Sequence, residues 1–150
     1  MVYKWAKGTR HKVDPNVAGA VCEELERDGI LNAKNLVDIS RPESAPLHDE
    51  FDWNDATAAE KFREHQARNI INALVVQTES TQTEVRNFFI VQKEAGYQSV
   101  DILMEKEDTR LKLLEQALRE LEWFERKYSR LSELVGVFAA IEGLKHNEAV

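Results

Sequence analysis

From Asp108 to Val135 the chain contains neither proline nor glycine, and its apolar residues recur every seven positions. Leu114, Leu121, Tyr128 and Val135 form one series, and Ala117, Phe124, Leu131 and Phe138 form a second. Two offset seven-residue series make an a/d seam, which only a helix can present on one side; a strand would send alternate members to opposite faces. Such a seam either buries against the chain's own core or pairs two copies. Trp123 beside it widens the apolar face, so a homodimer contact is expected through Leu114, Leu121, Phe124, Tyr128, Leu131, Val135 and Phe138. If Ser129 ends the helix and starts another, the C-terminal part is an antiparallel helix pair in place of a rod.

Upstream, the signals are shorter. Asp14-Pro15 reads as an N-cap followed by proline at the first helical position, and Val17, Ala18, Val21, Cys22 and Leu25 continue as a helical stripe. Gly29 ends that helix. Asn32 caps a second helix containing Leu36, Val37 and Ile39, which Pro42 closes. A third is expected from about residue 55 to 74, capped by Asn54 or Asp55 with Thr57-x-x-Glu60 as a capping box. Leu74–Val76 and Val85–Val91 are β-branched and aromatic, and a polar linker separates them, so they read as two strands of a hairpin. Thr81-x-x-Glu84 is a competing helical signal for the second of these. Tyr97 reads as a short strand end, with Ser99 starting a helical turn through Met104. The expectation is an α+β fold, mainly helical, with a small antiparallel hairpin and one or two long C-terminal helices. As one domain it divides into a basic arm (1–13), a helical part (14–74), the hairpin (75–98) and the C-terminal helices (99–145).

Composition narrows the function classes. At 150 residues the chain can bury a core without help from a metal or disulfide, and its single cysteine, Cys22, has no internal partner. No run approaches the ~20 apolar residues of a membrane span. Met1–Asp14 lacks the apolar run of a signal peptide. A cytoplasmic protein without membrane association is expected.

Catalytic patterns are absent. There is no Gly-x-Ser-x-Gly, no Gly-Lys-Ser/Thr and no His-Glu-x-x-His. His48, Asp49, Glu50 and Asp52 form an acidic turn, and Glu60, Glu64 and His65 share a helix without the Glu-x-x-His spacing of carboxylate-bridged metal sites. No enzymatic activity, metal or cofactor is expected.

Charge points toward polyanions at one place only. The chain's net charge is −7, yet residues 1–13 hold Lys4, Lys7, Arg10 and Lys12 and no acid. Trp5 lies among these cations, suited to stacking. Lys61, Arg63 and Arg68 add a second cationic group on the expected third helix. These eight residues are the candidate nucleic-acid contacts. The first two helices with Ala45–Trp53 could form a helix-turn-helix, but that third element would bring Asp49, Glu50 and Asp52 to phosphates and no cation. The acidic turn supports a different reading, an adaptor or inhibitor that covers a basic face of a host or phage protein.

One segment carries a resemblance. It runs Ser44-Ala45-Pro46-Leu47-His48, Phe51-Asp52-Trp53-Asn54-Asp55, Ala58-Ala59-Glu60, Arg63 and Gln66-Ala67-Arg68. Tyr3 to Gly8, Val85-Arg86, Ala117 to Leu121, Lys127-Tyr128 and Glu133-Leu134 add to it. The chain resembles short proteins of tailed phages and prophages whose role is unassigned. The resemblance implies a phage or prophage origin and a shared fold, with no catalytic residues; Asn54 stands where that group is acidic. Independently of it, Pro46, Leu47, Phe51 and Trp53 are expected to clamp a turn onto the third helix.

Overall fold

The computed structural model describes residues 2–55, 59–80 and 82–148. The chain folds as two compact units, Met1–Ile102 and Leu103–Val150, where the sequence suggests one domain. It is a mainly helical α+β protein with small antiparallel sheets.

The first unit opens with β1 (Tyr3–Trp5), so the expected free arm is instead a strand. It pairs antiparallel with β2 (Leu74–Gln77), Tyr3 opposite Val76 and Trp5 opposite Leu74. The reason is burial. Tyr3 is 3% exposed and its ring lies on α1 (Pro15–Asp28), a gain no disordered terminus could match. Gly19 makes room for it: a Cβ there would sit 2.2 Å from Tyr3 Cδ2.

The helix signals hold. Asp14 Oδ1 accepts from Asn16 N at 2.8 Å, and the amide of Gly29 closes α1 on Leu25 O. α2 (Ala33–Ser40) is capped by Asn32 Oδ1, which accepts from Asn35 N at 2.7 Å. α3 (Ala59–Ala73) buries Ala67, Ile70 and Ile71 and passes directly into β2. Its expected cap residue Thr57 lies outside the described residues, as do Ala58 and Thr81.

The expected hairpin is present but divided. β2 pairs with β3 (Glu84–Arg86), giving the order β1-β2-β3. The second expected strand breaks at Asn87, and β4 (Phe88–Ile90) pairs instead with β5 (Tyr97–Ser99) in a separate two-stranded sheet. Asn87 is the pivot: it is buried, its carbonyl accepts from Val100 N, and its Nδ2 donates to Tyr3 Oη at 3.0 Å. A side chain held there cannot continue the ladder in register. Gly96 lets β5 close onto Leu31, since its φ of +70° is left-handed and a Cβ would stand 2.3 Å from Leu31 O. Tyr97 N donates to that same carbonyl at 2.6 Å.

In the second unit, α5 (Glu107–Tyr128) ends at Ser129 and α6 (Val135–Glu148) follows a 3₁₀ turn at Ser132–Leu134. α4 (Val100–Glu105) precedes them and contains the boundary between units. The heptad series is therefore interrupted. α6 packs back on α5, with Phe124 and Phe138 ring centroids 6.3 Å apart and Lys145 Nζ 3.5 Å from Glu122. Leu121, Phe124 and Phe138 are half-buried, whereas Leu114, Tyr128, Leu131 and Val135 stay exposed. The Phe124 and Tyr128 rings pack at a tilt, with centroids 5.0 Å apart. Among the described residues of α5 and α6 the buried apolar side chains are Leu118 and Ile141, neither of them in the expected seam. Among the described residues no helix is long and apolar enough to cross a membrane.

Candidate nucleic-acid interface

The residues after β1 form an ordered loop. Ala6 N donates to Ala73 O at 2.9 Å, and Thr9 closes a turn on Ala6 O around Gly8. Farther along, the loop is gripped by Glu50, which reaches it from a 3₁₀ turn at His48–Glu50. Glu50 Oε1 accepts from Lys12 N at 2.5 Å and Val13 N at 2.7 Å, and Oε2 lies 3.1 Å from His11 Nδ1. The Glu50 side chain is only 5% exposed. His11 stacks on Trp5 at 3.9 Å, and Trp5 Nε1 donates to Val13 O at 2.9 Å. Fixed backbone at both ends leaves the side chains of Lys7, Arg10 and Lys12 exposed to solvent.

The loop lies against α3. Ala6, Thr9, Arg10 and His11 face Asn69, Asn72 and Ala73 across a cavity of about 350 Å³. A second cavity, about 590 Å³, continues on the other side of the loop and brings Arg10 and Lys12 toward Gln66. The outer strip of α3 is Lys61, Phe62, His65, Arg68, Asn69 and Asn72, all exposed. Its two acids stand at one edge and are engaged: Glu60 with Arg41 and Arg63, Glu64 with Arg68 at 3.6 Å.

The eight candidate residues therefore separate. Lys7, Arg10, Lys12 and Lys61 are exposed and, among the described residues, in no ion pair; Arg68 is exposed beside Glu64. Lys4 is half-exposed but paired, with Gln77 Oε1 at 3.1 Å and Glu84 at 3.6 Å. Two expectations are corrected. Trp5 cannot stack on a base, because its ring and its N–H are both taken within the loop. Arg63 cannot reach a phosphate: it is 3% exposed, donates to Asp52 O at 2.8 Å, pairs with Asp55 at 2.8 Å and lies 4.9 Å over the Trp53 ring.

Arg63 belongs to the clamp expected at Pro46–Trp53. Leu47 and Phe51 are buried, Trp53 Nε1 donates to His48 O, and the His48 ring stacks on Trp53 with Nδ1 3.0 Å from Ser40 O. The acidic turn is thus largely internal machinery. Glu50 grips the loop, which leaves Asp49 and Asp52 as its exposed acids.

Other reactive groups are buried for packing. The Cys22 thiol is fully buried, and desolvation followed by Glu23 and Glu26 pushes its pKa up to about 12. Tyr3 Oη donates to Glu23 Oε1 at 2.7 Å, and burial raises its pKa well above the usual phenol range. A larger cavity of about 730 Å³ lies beside β2 and β3, but Arg86 there faces Glu79 and Asp101, and its guanidinium is bound to Phe88 O and Asn72 Oδ1.

Sequence reasoning missed His65, Gln66, Asn69 and Asn72. The available signal was the three-residue spacing of the amides on the solvent side of a helix whose other side is apolar. No protein family, curated protein or solved structure matches the chain.

Proposed function

We propose that this is a non-enzymatic, phage-encoded accessory protein that binds DNA through the 7–12 loop and the outer face of α3, acting in the host cytoplasm. One observation carries this reading. Lys7, Arg10, Lys12, Lys61 and Arg68 are exposed on two elements that share a cavity, and no unpaired carboxylate stands on the outer strip of α3. The chain as a whole carries a net charge of −7, so a cationic group free of unpaired acids is a favourable approach for a polyanion. The loop is held in place before binding, which reduces the ordering cost of contact.

Substitution is the right test, because deleting residues 1–13 would strip β1 and Tyr3 from the core. Gel shifts at low salt should show binding by the wild type and its loss in a Lys7→Ala/Arg10→Ala/Lys12→Ala variant. Equal, negligible shifts for both would sink the proposal.

A protein contact is also favoured by a specific observation. In the second unit Trp123 is 70% and Val135 68% exposed, with Leu131, Val137 and Leu144 near half. Scattered single residues need no explanation, but this many exposed large apolar side chains on α5, α6 and the turn between them favour association that would cover them. We assign this surface to a second copy of the chain, because Leu114, Tyr128, Leu131 and Val135 stay exposed, with no partner side among the described residues of the unit to bury them. Light scattering should give twice the chain mass, and Trp123→Glu should return it to the monomer. A wild-type monomer at high concentration would leave the surface to a host or phage protein.

A further inference from the structure

The loop cations explain affinity for any polyanion, but the strip between them has a different chemistry. Asn69 and Asn72 are exposed three residues apart on α3 and line the cavity that also holds Arg10, whereas Gln66 one turn earlier is half-buried with its Oε1 accepting from Asp52 N at 3.2 Å. A lysine-rich face would serve phosphates alone. Carboxamides have no attraction for phosphate beyond a neutral hydrogen bond, whereas their paired donor and acceptor match the N6 and N7 positions of adenine. Asn72 is held in orientation as well: Arg86 Nη2 donates to its Oδ1 at 2.5 Å, and Arg86 is itself fixed by Phe88 O at 3.0 Å and by the Phe89 ring at 4.7 Å. Arg86 is a positioning residue: it takes one lone pair of Asn72 Oδ1 and leaves the other, with the amide N–H groups, for a base.

The dimensions agree. Asn69 and Asn72 are separated by roughly 4.5 Å of helix axis, within reach of two neighbouring base pairs of B-DNA. A helix of α3's diameter enters the major groove, about 12 Å wide, and no other groove. Lys61 and Arg68 lie along the same strip, while Lys7, Arg10 and Lys12 stand on a rigid loop to one side, placed for the bordering backbone. Phosphate contacts then set the register, and the amides read the bases.

We propose that α3 reads sequence in the major groove of duplex DNA, with Asn69 and Asn72 contacting adenine-containing base pairs. The proposal rests on the DNA-binding reading above and adds specificity to it. Single-stranded nucleic acid is the competing ligand, since a splayed base could also enter the loop–α3 cavity.

The test uses the full-length protein and a pool of randomised 20-base-pair duplexes. Selection should enrich a short motif containing A·T pairs. Anisotropy should then show at least about tenfold tighter binding to the selected duplex than to its scrambled counterpart at moderate salt. Asn69→Ala/Asn72→Ala should erase that preference while keeping the scrambled-duplex affinity and salt slope. Arg86→Ala should reduce the preference with little change in scrambled-duplex affinity. Asn69 and Asn72 are exposed, so a circular dichroism melt matching the wild type confirms folding of the amide variant. Salt-dependent binding without an enriched motif, a preference that survives the double substitution, or tighter binding to single strands overturns base reading and leaves DNA binding standing. No binding to any duplex at low salt overturns both.

Discussion

The carboxylate of Glu50 holds the backbone of Val13: Oε1 accepts the Val13 N–H at 2.7 Å from 37 residues away, and does so with its side chain 5% exposed. The same carboxylate takes Lys12 N and faces His11. An acid that reads as part of a solvated turn is therefore what gives the cationic loop its shape.

Glu50→Ala should cost about 2–4 kcal/mol, because two backbone N–H groups and an imidazole lose a charged partner. Urea denaturation gives the value. The same variant should bind DNA more weakly although Glu50 itself is an acid, since the loop becomes disordered. Unchanged stability would mean that the contact is not held in solution.

Gly19→Ala should destabilise by at least about 2 kcal/mol, since the methyl group would enter the Tyr3 ring. Gly143→Ala in α6 meets open space and should stabilise by about 0.5–1 kcal/mol. Thermal melts of the two variants should move in opposite directions.

Arg63 and Lys61 lie two residues apart and should behave as different kinds of residue. Arg63→Ala should unfold the protein more readily by about 2–4 kcal/mol, because it leaves Asp52 O and Asp55 without a partner beneath Trp53. Lys61→Ala should change stability by less than about 0.5 kcal/mol and weaken DNA binding. A chemical melt and a binding curve on each separate the roles.

Glu26 provides a pH signature. Burial raises its carboxyl pKa above the ordinary 4.5, against the lowering effect of its hydrogen bonds from Ser99. A raised folded-state pKa means that the native protein holds this proton more tightly than the unfolded chain. Its contribution is fully present below about pH 4.5 and is lost as pH rises through the folded value. Glu26→Gln should remove that loss and raise the melting temperature near pH 8 relative to wild type. A variant that melts in parallel with wild type from acid to neutral pH would contradict it.

What could be read from the sequence follows the physical range of each signal. Caps at Asp14 and Asn32 act within three residues, and they are where the sequence places them. The stripe containing Cys22 and the apolar side of α3 are periodic and equally legible. The arm failed because its fate rests on a distant partner: Tyr3 and Trp5 pair with β2 some 70 residues away, and Gly19 makes the space. The single strand at 85–91 failed because Asn87 satisfies Tyr3 and Val100 at once, which no local pattern encodes. At the candidate site, counting charges found Lys7, Arg10, Lys12, Lys61 and Arg68. It could not distinguish Arg63, whose burial depends on Trp53 and Asp55, nor find neutral amides that have no charge to count.

The most direct test is a salt titration of duplex binding by full-length protein and by the Lys7→Ala/Arg10→Ala/Lys12→Ala variant. The account predicts that the logarithm of affinity falls linearly with the logarithm of salt concentration. The triple variant should bind more weakly, with a slope shallower by roughly two to three. A wild-type protein that does not bind at low salt, or a slope the triple substitution leaves unchanged, would contradict it.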